Sequence, residues 1–456
     1  MSQWNKTPFG ELLVDSKDGE WGDGEATVGS RESIIIRGTD FDDLDNPGAE
    51  FPRRWIKNHI ADRKRLQPGD LILETAGGTS TQSTGRSALL KQSFFVNHSD
   101  LPVLCASFSR HLRLDTKKFS PRFIYYLLQT LYRFGYMAVF NIQHTGVSRF
   151  QYTDFKNHTE LQIPELPTQR KIAAALSAYD ELIEHNRRRI ALLEKLAEEI
   201  YREWFVRLRF PGHDKMKLIK GVPNGWSLKR FHEIVEYYIG GGWGEDDQST
   251  SFSDGAFVIR GTDIPDVQAG ELGGCPFRFH KPSNLKSRTL QPNDFVFEVS
   301  GGSTNQLLGR NVMVTDRVLK FFDAPVIAAS FCKLIRFRQE LVSSYFMKYF
   351  MKLYYDYDLV GIYQVQSTGI SNYQFESFLK FQTIILPPDT LQKNFEDMVK
   401  PIIEMRDNAA LANIALQKTR DKLLPRLISG KLPVENLAIQ FPPGMAEETS
   451  IAVSSP

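Results

Sequence analysis

Apolar positions along this chain follow two rhythms. Short β-branched and aromatic runs, Ser33–Arg37, Asp70–Glu74, Phe257–Arg260 and Asp294–Val299, are bounded by Pro-Gly, Pro-Asn and Gly-Gly signals. That is the pattern of strands separated by tight turns. One helical stretch interrupts each group, Pro121–Phe134 and Leu341–Tyr355. From Thr168 the rhythm changes. Ile172, Leu176, Tyr179, Ile183, Ile190, Leu193, Ala197, Ile200 and Trp204 recur in steps of four and three, which predicts a long helix with a heptad seam. The position that completes the seam is Asn186, a residue type that fixes register between paired helices. Met398, Ile402, Met405, Ala409, Ala412, Leu416, Thr419 and Leu423 show the same steps, predicting a second such helix.

The chain is also written twice. Arg37-Gly38-Thr39-Asp40 recurs as Arg260-Gly261-Thr262-Asp263, and Leu66-Gln67-Pro68-Gly69-Asp70 as Leu290-Gln291-Pro292-Asn293-Asp294. Gly77-Gly78 with Gly85-Arg86 returns as Gly301-Gly302 with Gly309-Arg310, and Ala106-Ser107-Phe108 as Ala329-Ser330-Phe331. Gln143-His144-Thr145-Gly146-Val147-Ser148 matches Gln366-Ser367-Thr368-Gly369-Ile370-Ser371. The order is preserved at a nearly constant shift, so this is a tandem duplication. The expected fold class is α+β: two tandem-duplicated α/β-type domains, 1–166 and 211–388, alternating with long helices at 167–210 and 389–431. Pro211-Gly212 closes the first helix and Pro425 lies near the end of the second. A tail, 432–456, with Pro-Pro-Gly and Ser/Glu residues, is expected to be poorly ordered.

Composition narrows the possibilities. At 456 residues the chain is too long for one ordinary domain. Lys+Arg 56 against Asp+Glu 54 leaves +2, which excludes a polycation but not a local basic face. Cys105, Cys275 and Cys332 are odd in number and form no CxxC pair, so neither a disulfide framework nor a zinc site is expected, consistent with a reducing cytosol. The start MSQWNKTPFGELL lacks signal-peptide character, and no apolar run approaches membrane-spanning length. A cytoplasmic protein is expected.

Ile172 to Trp204 is 33 residues, roughly 50 Å of helix, against about 34–36 Å per turn of duplex DNA. A spacer of this length suits two DNA readers about one turn apart, and equally a two-domain scaffold braced by a coiled coil. The local phrases favour the first. Gly225-Trp226 with Leu228 and Glu233-Ile234-Val235, the Leu-Gln-Pro-Gly-Asp turn, Gln366 to Ser371, Leu386-Pro387-Pro388 and Leu423-Leu424-Pro425-Arg426-Leu427-Ile428-Ser429-Gly430-Lys431 together resemble the specificity subunit of type I restriction–modification systems, over residues 1–437. The resemblance implies that each globule is a target recognition domain reading half of a split DNA sequence. It also implies that the helices pack as an antiparallel coiled coil, set the gap and dock methyltransferase subunits, two in number, alongside restriction subunits. No cofactor is expected on this chain; S-adenosylmethionine, ATP and Mg would belong to partner subunits.

Candidate DNA-binding residues follow from chemistry. Arg86 and Arg310 each follow a Gly-rich loop carrying Thr79 and Ser80 or Thr304 and Asn305; arginine can fork onto guanine or phosphate, or simply support its loop. Gln143, His144 and Gln366 precede Thr-Gly turns; glutamine can pair with adenine or cap the turn. The clusters Arg53, Arg54, Lys57, Arg63, Lys64 and Arg278, Lys281, Lys286 fit phosphate contacts and equally a solvated surface. Arg37 with Asp40, and Arg260 with Asp263, suit structural ion pairs. On the helices Ile183, Asn186, Ile190, Leu193, Ile200, Trp204, Ile402, Met405, Leu416 and Leu423 are the seam and docking candidates, with Trp204 either core or a partner contact.

Several catalytic motifs are absent from the sequence. Gly302 to Gly309 is followed by arginine rather than the Lys-Ser/Thr of a phosphate loop. Leu386-Pro387-Pro388-Asp389 lacks the flanks of an amino-methyltransferase motif, and Glu236 stands where an HExxH zinc motif needs histidine. A non-catalytic recognition subunit is the reading. The rivals are an adaptor with a duplicated globule and an enzyme using Glu74 and Glu298.

Overall fold

The run Ser30–Ile36 folds as a strand whose Ile34, Ile35 and Ile36 are buried, and Leu71–Glu74 is buried throughout. Near-continuous apolar runs of this kind suit strands covered on both faces. Residues 4–46, 48–78, 82–144, 147–301, 306–367 and 370–445 are described by this computed structural model. They divide into two units, Met1–Glu184 with Leu416–Pro456, and His185–Ala415.

In the first unit Leu13–Asp18, Ser109–Leu114, Leu71–Glu74 and Ser87–Leu89 form an antiparallel sheet in that order. Arg53–Lys57, Ser30–Ile36 and Val103–Cys105 form a second sheet, whose last pair is parallel. A third ribbon joins Asn141–His144, Val147–Phe150 and Ala76–Gly77. Asn5–Pro8 pairs with Glu160–Ile163.

The second unit repeats this plan. Its sheets are Val235–Gly240, Cys332–Phe337, Phe295–Glu298 and Asn311–Met313; Phe277–His280, Asp254–Ile259 and Val326–Ala328; and Gln364–Ser367, Ile370–Tyr373 and Ser300–Gly301. Ser227–Arg230 pairs with Thr383–Leu386. Even the β-bulge recurs, at Leu13/Asp15 and at Val235/Tyr237.

The helical stretches form as Pro121–Arg133 and Ser344–Asp356. They are not the only ones. Asn58–Lys64, Gln92–Asn97 and Tyr152–His158 are also helical, each too short for a 3.6-residue period to show against the strand pattern around it.

The two long helices run Leu166–Tyr201 and Asp389–Ile428. A π turn, Arg202–Val206, prolongs the first and carries Trp204 into the core. In the first unit Ile172 and Leu176 share a core with Leu424, Leu427 and Ile428, and Asp180 accepts from Arg420 at 2.6 Å. In the second unit Asn186 Nδ2 donates to Asn413 Oδ1 at 2.9 Å, Ile190 packs on Ala409 and Ala410, and the Tyr201 ring lies 5.8 Å from that of Phe395. Partner numbers fall as helix numbers rise, so the pairing is antiparallel in each unit.

The first helix buries the expected stripe: Ile183 and Ile190 are buried, and Leu193 and Ile200 half-buried. The second helix differs from expectation by one residue. Met398 and Met405 are 46% and 43% exposed, while Phe395, Val399, Ile403, Arg406, Ala410 and Asn413 face inward; Ile402, Leu416 and Leu423 are half-buried at the edge. Polar side chains in the seam explain the offset. Arg406 lies beside Glu194 at 3.4 Å, and Asp407 accepts from Thr315 Oγ1 at 2.5 Å, so an apolar template slides past them.

Residues 446–456 of the tail lie outside the described residues, while 432–445 pack against the first unit. Val434 and Met445 are both 2% exposed in the first unit's core, and Lys171 Nζ donates to the Glu435 and Leu437 carbonyls at 2.6 and 3.0 Å. A few apolar anchors outweigh the polar composition around them. Among the described residues no helix is long and apolar enough to cross a membrane.

Candidate nucleic-acid interface

Each unit builds the same group of side chains where its central strand ends. Glu74 and Glu298 close buried strands. Gly85 and Gly309, at φ +100° and +101°, turn the chain back so that Arg86 and Arg310 return alongside; a side chain at either position would be strained. Arg86 donates to both oxygens of Glu74 at 3.0 and 2.8 Å, and Arg310 to both oxygens of Glu298 at 2.9 and 2.6 Å. These bonds hold both guanidinium groups above their ordinary pKa, against the effect of burial. Arg37 and Arg260 grip Asp40 and Asp263 at 2.7 Å, and those carboxylates also cap the turn. Gly38 is pressed against the glutamate: a methyl there would sit 2.6 Å from Glu74 Oε1, and one on Gly261 still closer to Glu298.

Both oxygens of each glutamate accept from its arginine, a geometry that fits the loop-support reading of Arg86 and Arg310.

In the second unit this group floors a cleft of about 820 Å³, with Trp243, Phe331 and Gln306 among its walls. Phe331 is 57% exposed and its counterpart Phe108 is 62% exposed. Trp243 and Trp21 are about two-fifths exposed, and each stacks on an arginine, Arg278 at 4.6 Å and Arg54 at 5.0 Å. These pairings account for two candidate phosphate ligands. Arg278 is 8% exposed, bonded to the Trp243 and Gly244 carbonyls and paired with Asp246. Arg54 donates to the Gly22 carbonyl at 3.2 Å. Lys64 is likewise engaged, with the Gly19 carbonyl at 2.9 Å and Glu20 at 3.0 Å.

Lys57, Arg63 and Lys286 are exposed. Arg53 is 4.0 Å from Glu32 with most of its side chain in solvent, and Lys281 lies over the Phe252 ring. Gln366 is exposed on the ribbon strand Gln364–Ser367. Thr79, Ser80, Thr304 and Asn305 lie outside the described residues, as do the side chains of Gln143 and His144.

Two features escaped sequence reasoning. Gln169 and Gln392, near the starts of the long helices, are 1% and 3% exposed. Each accepts from a backbone N–H, Ser120 or Ser343, at 2.9 Å and donates to a carbonyl, Pro164 at 2.9 Å or Pro387 at 2.8 Å. Their recurrence at a shift of 223 was the available signal. The other is on the first helix, where Leu192 and Leu196 are 67% and 51% exposed one turn apart, whereas Trp204 is 7% exposed in the core.

Residues 56–195 match the family of type I restriction modification DNA specificity domains. The specificity subunit of the type I restriction enzyme MjaIX from Methanocaldococcus jannaschii is 26% identical over 330 residues, covering 69% of this chain and 70% of that protein. Among solved structures, the S subunit of a type I restriction–modification system from M. genitalium matches with a TM-score of 0.55 at 15% identity. That match covers 93% of this chain and 96% of the other, a likeness of fold.

Proposed function

We propose that this chain, which is similar to type I restriction–modification specificity subunits, is one of them and that each of its units reads one half of a split, asymmetric DNA target. The paired helices fix the gap between the halves and dock two methyltransferase subunits. Adenine methylation and restriction are carried out by partner subunits, which hold S-adenosylmethionine, ATP and Mg; this chain supplies the address.

The observation that carries this reading is one architecture built twice, with rims that differ. Where the first unit has half-buried Ser83 after its Gly-rich turn, the second has half-buried Leu307; Thr84 and Leu308, the next residues, are buried. A hydroxyl can exchange hydrogen bonds with base edges, whereas leucine offers only apolar contact, so the two rims suit unlike half-sites. Exposed Lys57 and Arg63 in one unit and Lys286 in the other suit phosphate contacts that position the duplex without reading it.

Selection from random duplexes with the co-purified methyltransferase complex tests this. Two short unlike motifs at a fixed gap are expected. A single continuous motif, or none, contradicts it.

A further inference from the structure

The residues that line the cleft of the second unit recur along the first copy of the sequence. Of the fourteen residues that line it, all but Ser300, Leu307 and Leu308 recur in the first copy at shifts of 222 to 224. For Glu298, Arg310 and Arg260 the fold explains the identity, since each is locked in an ion pair. It does not explain Phe331 and Phe108, which are more than half exposed.

Both phenylalanines are nevertheless held firmly. The Phe108 carbonyl accepts from the backbone of Thr75 and Ala76 at 2.8 and 3.1 Å, and that of Phe331 from Val299 and Ser300 at 2.9 and 3.2 Å. Each ring is thus presented on a pinned turn, beside Ser107 or Ser330, both exposed.

Resting on the two-half-site reading, we propose that Phe108 and Phe331 are sequence-independent wedges that press into a base step of each half-site. A phenyl ring has no donor or acceptor and cannot read a base edge. Being the same in both copies, it cannot distinguish two unlike halves. What it can do is stack on or between bases, as apolar side chains do when they unstack a step. Sequence is then read by the positions where the copies differ. A protein partner is the other candidate for an exposed ring. The presence of the same ring in both copies suits a target that offers a like base step to each unit.

The test uses the complex of the full chain with its methyltransferase subunits, and duplexes carrying the motif selected by wild type, with 2-aminopurine placed at successive positions. Wild type brightens the probe at one step in each half. Phe331→Ala abolishes the signal in one half only and weakens binding about ten-fold, the scale of one stacking contact; Phe108→Ala does the same in the other half. The selected motif stays unchanged in both, and Phe331→Trp restores binding. Unchanged affinity, an altered motif, or lost methyltransferase co-purification with DNA binding retained each overturns the wedge. A wild-type complex that selects no split motif overturns the underlying reading, and the wedge with it.

Discussion

At the scale of single residues, repetition along the chain separates into two kinds. Asp70 and Asp294 each accept from a backbone N–H of their own turn at 2.7 Å and bind an arginine, Arg113 or Arg336. They recur because the turn needs them. Gln169 and Gln392 recur because they tie a helix start to the neighbouring loop. Gln392→Ala leaves the Ser343 N–H and the Pro387 carbonyl buried without this partner, and is expected to cost about 1–3 kcal/mol, readable as a lower urea midpoint at an unchanged slope. The Arg37–Asp40 and Arg260–Asp263 pairs were legible because the partners are three residues apart. The burial of Arg278 was not, since Trp243 and Asp246 lie more than thirty positions away and only the folded sheet brings them together.

At the scale of elements, the first long helix was legible almost to the residue because its seam is apolar apart from Asn186. The second was misread by one position because Arg406, Asp407 and Asn413 occupy its inner face. Arg406 and Asp407 belong to a network with a pH signature. Burial alone would raise the Glu194 pKa, but Lys348 at 2.8 Å and Arg406 outweigh it and bring the carboxyl down from 4.5 to about 2. The folded pKa is depressed, so this contribution to stability is present above pH 4.5 and is lost as pH falls toward about 2. Thermal melts across that window should show a shallower acid decline for Glu194→Gln than for wild type; parallel curves would remove the network from the stability of the helix pair. On the outer face, Leu192→Asp is expected to reduce methyltransferase co-purification several-fold while the melting temperature stays unchanged, because the side chain is exposed. Trp204→Ala would instead lower the melting temperature, because that ring is core. Retained co-purification with Leu192→Asp would place docking elsewhere.

At the scale of the whole molecule, the duplication was legible from five phrases at a nearly constant shift, and it carried the architecture: two like units, each completed by parts of both long helices. The boundary between those units was not legible. It falls within the helices, after Glu184 and again before Leu416, so neither long helix belongs to one globule. The cleft was hidden too, because its lining comes from segments as far apart as Trp243 and Phe331, and no linear pattern joins them. The central claim is that one chain specifies two unlike half-sites for a methyltransferase acting on adenine. The most direct measurement is single-molecule sequencing of N6-methyladenine in a host that expresses this chain with its methyltransferase subunit. The account predicts a new split motif, two short unlike halves across a fixed gap, that is absent when this chain is omitted. Methylation that is unchanged by its omission would contradict it.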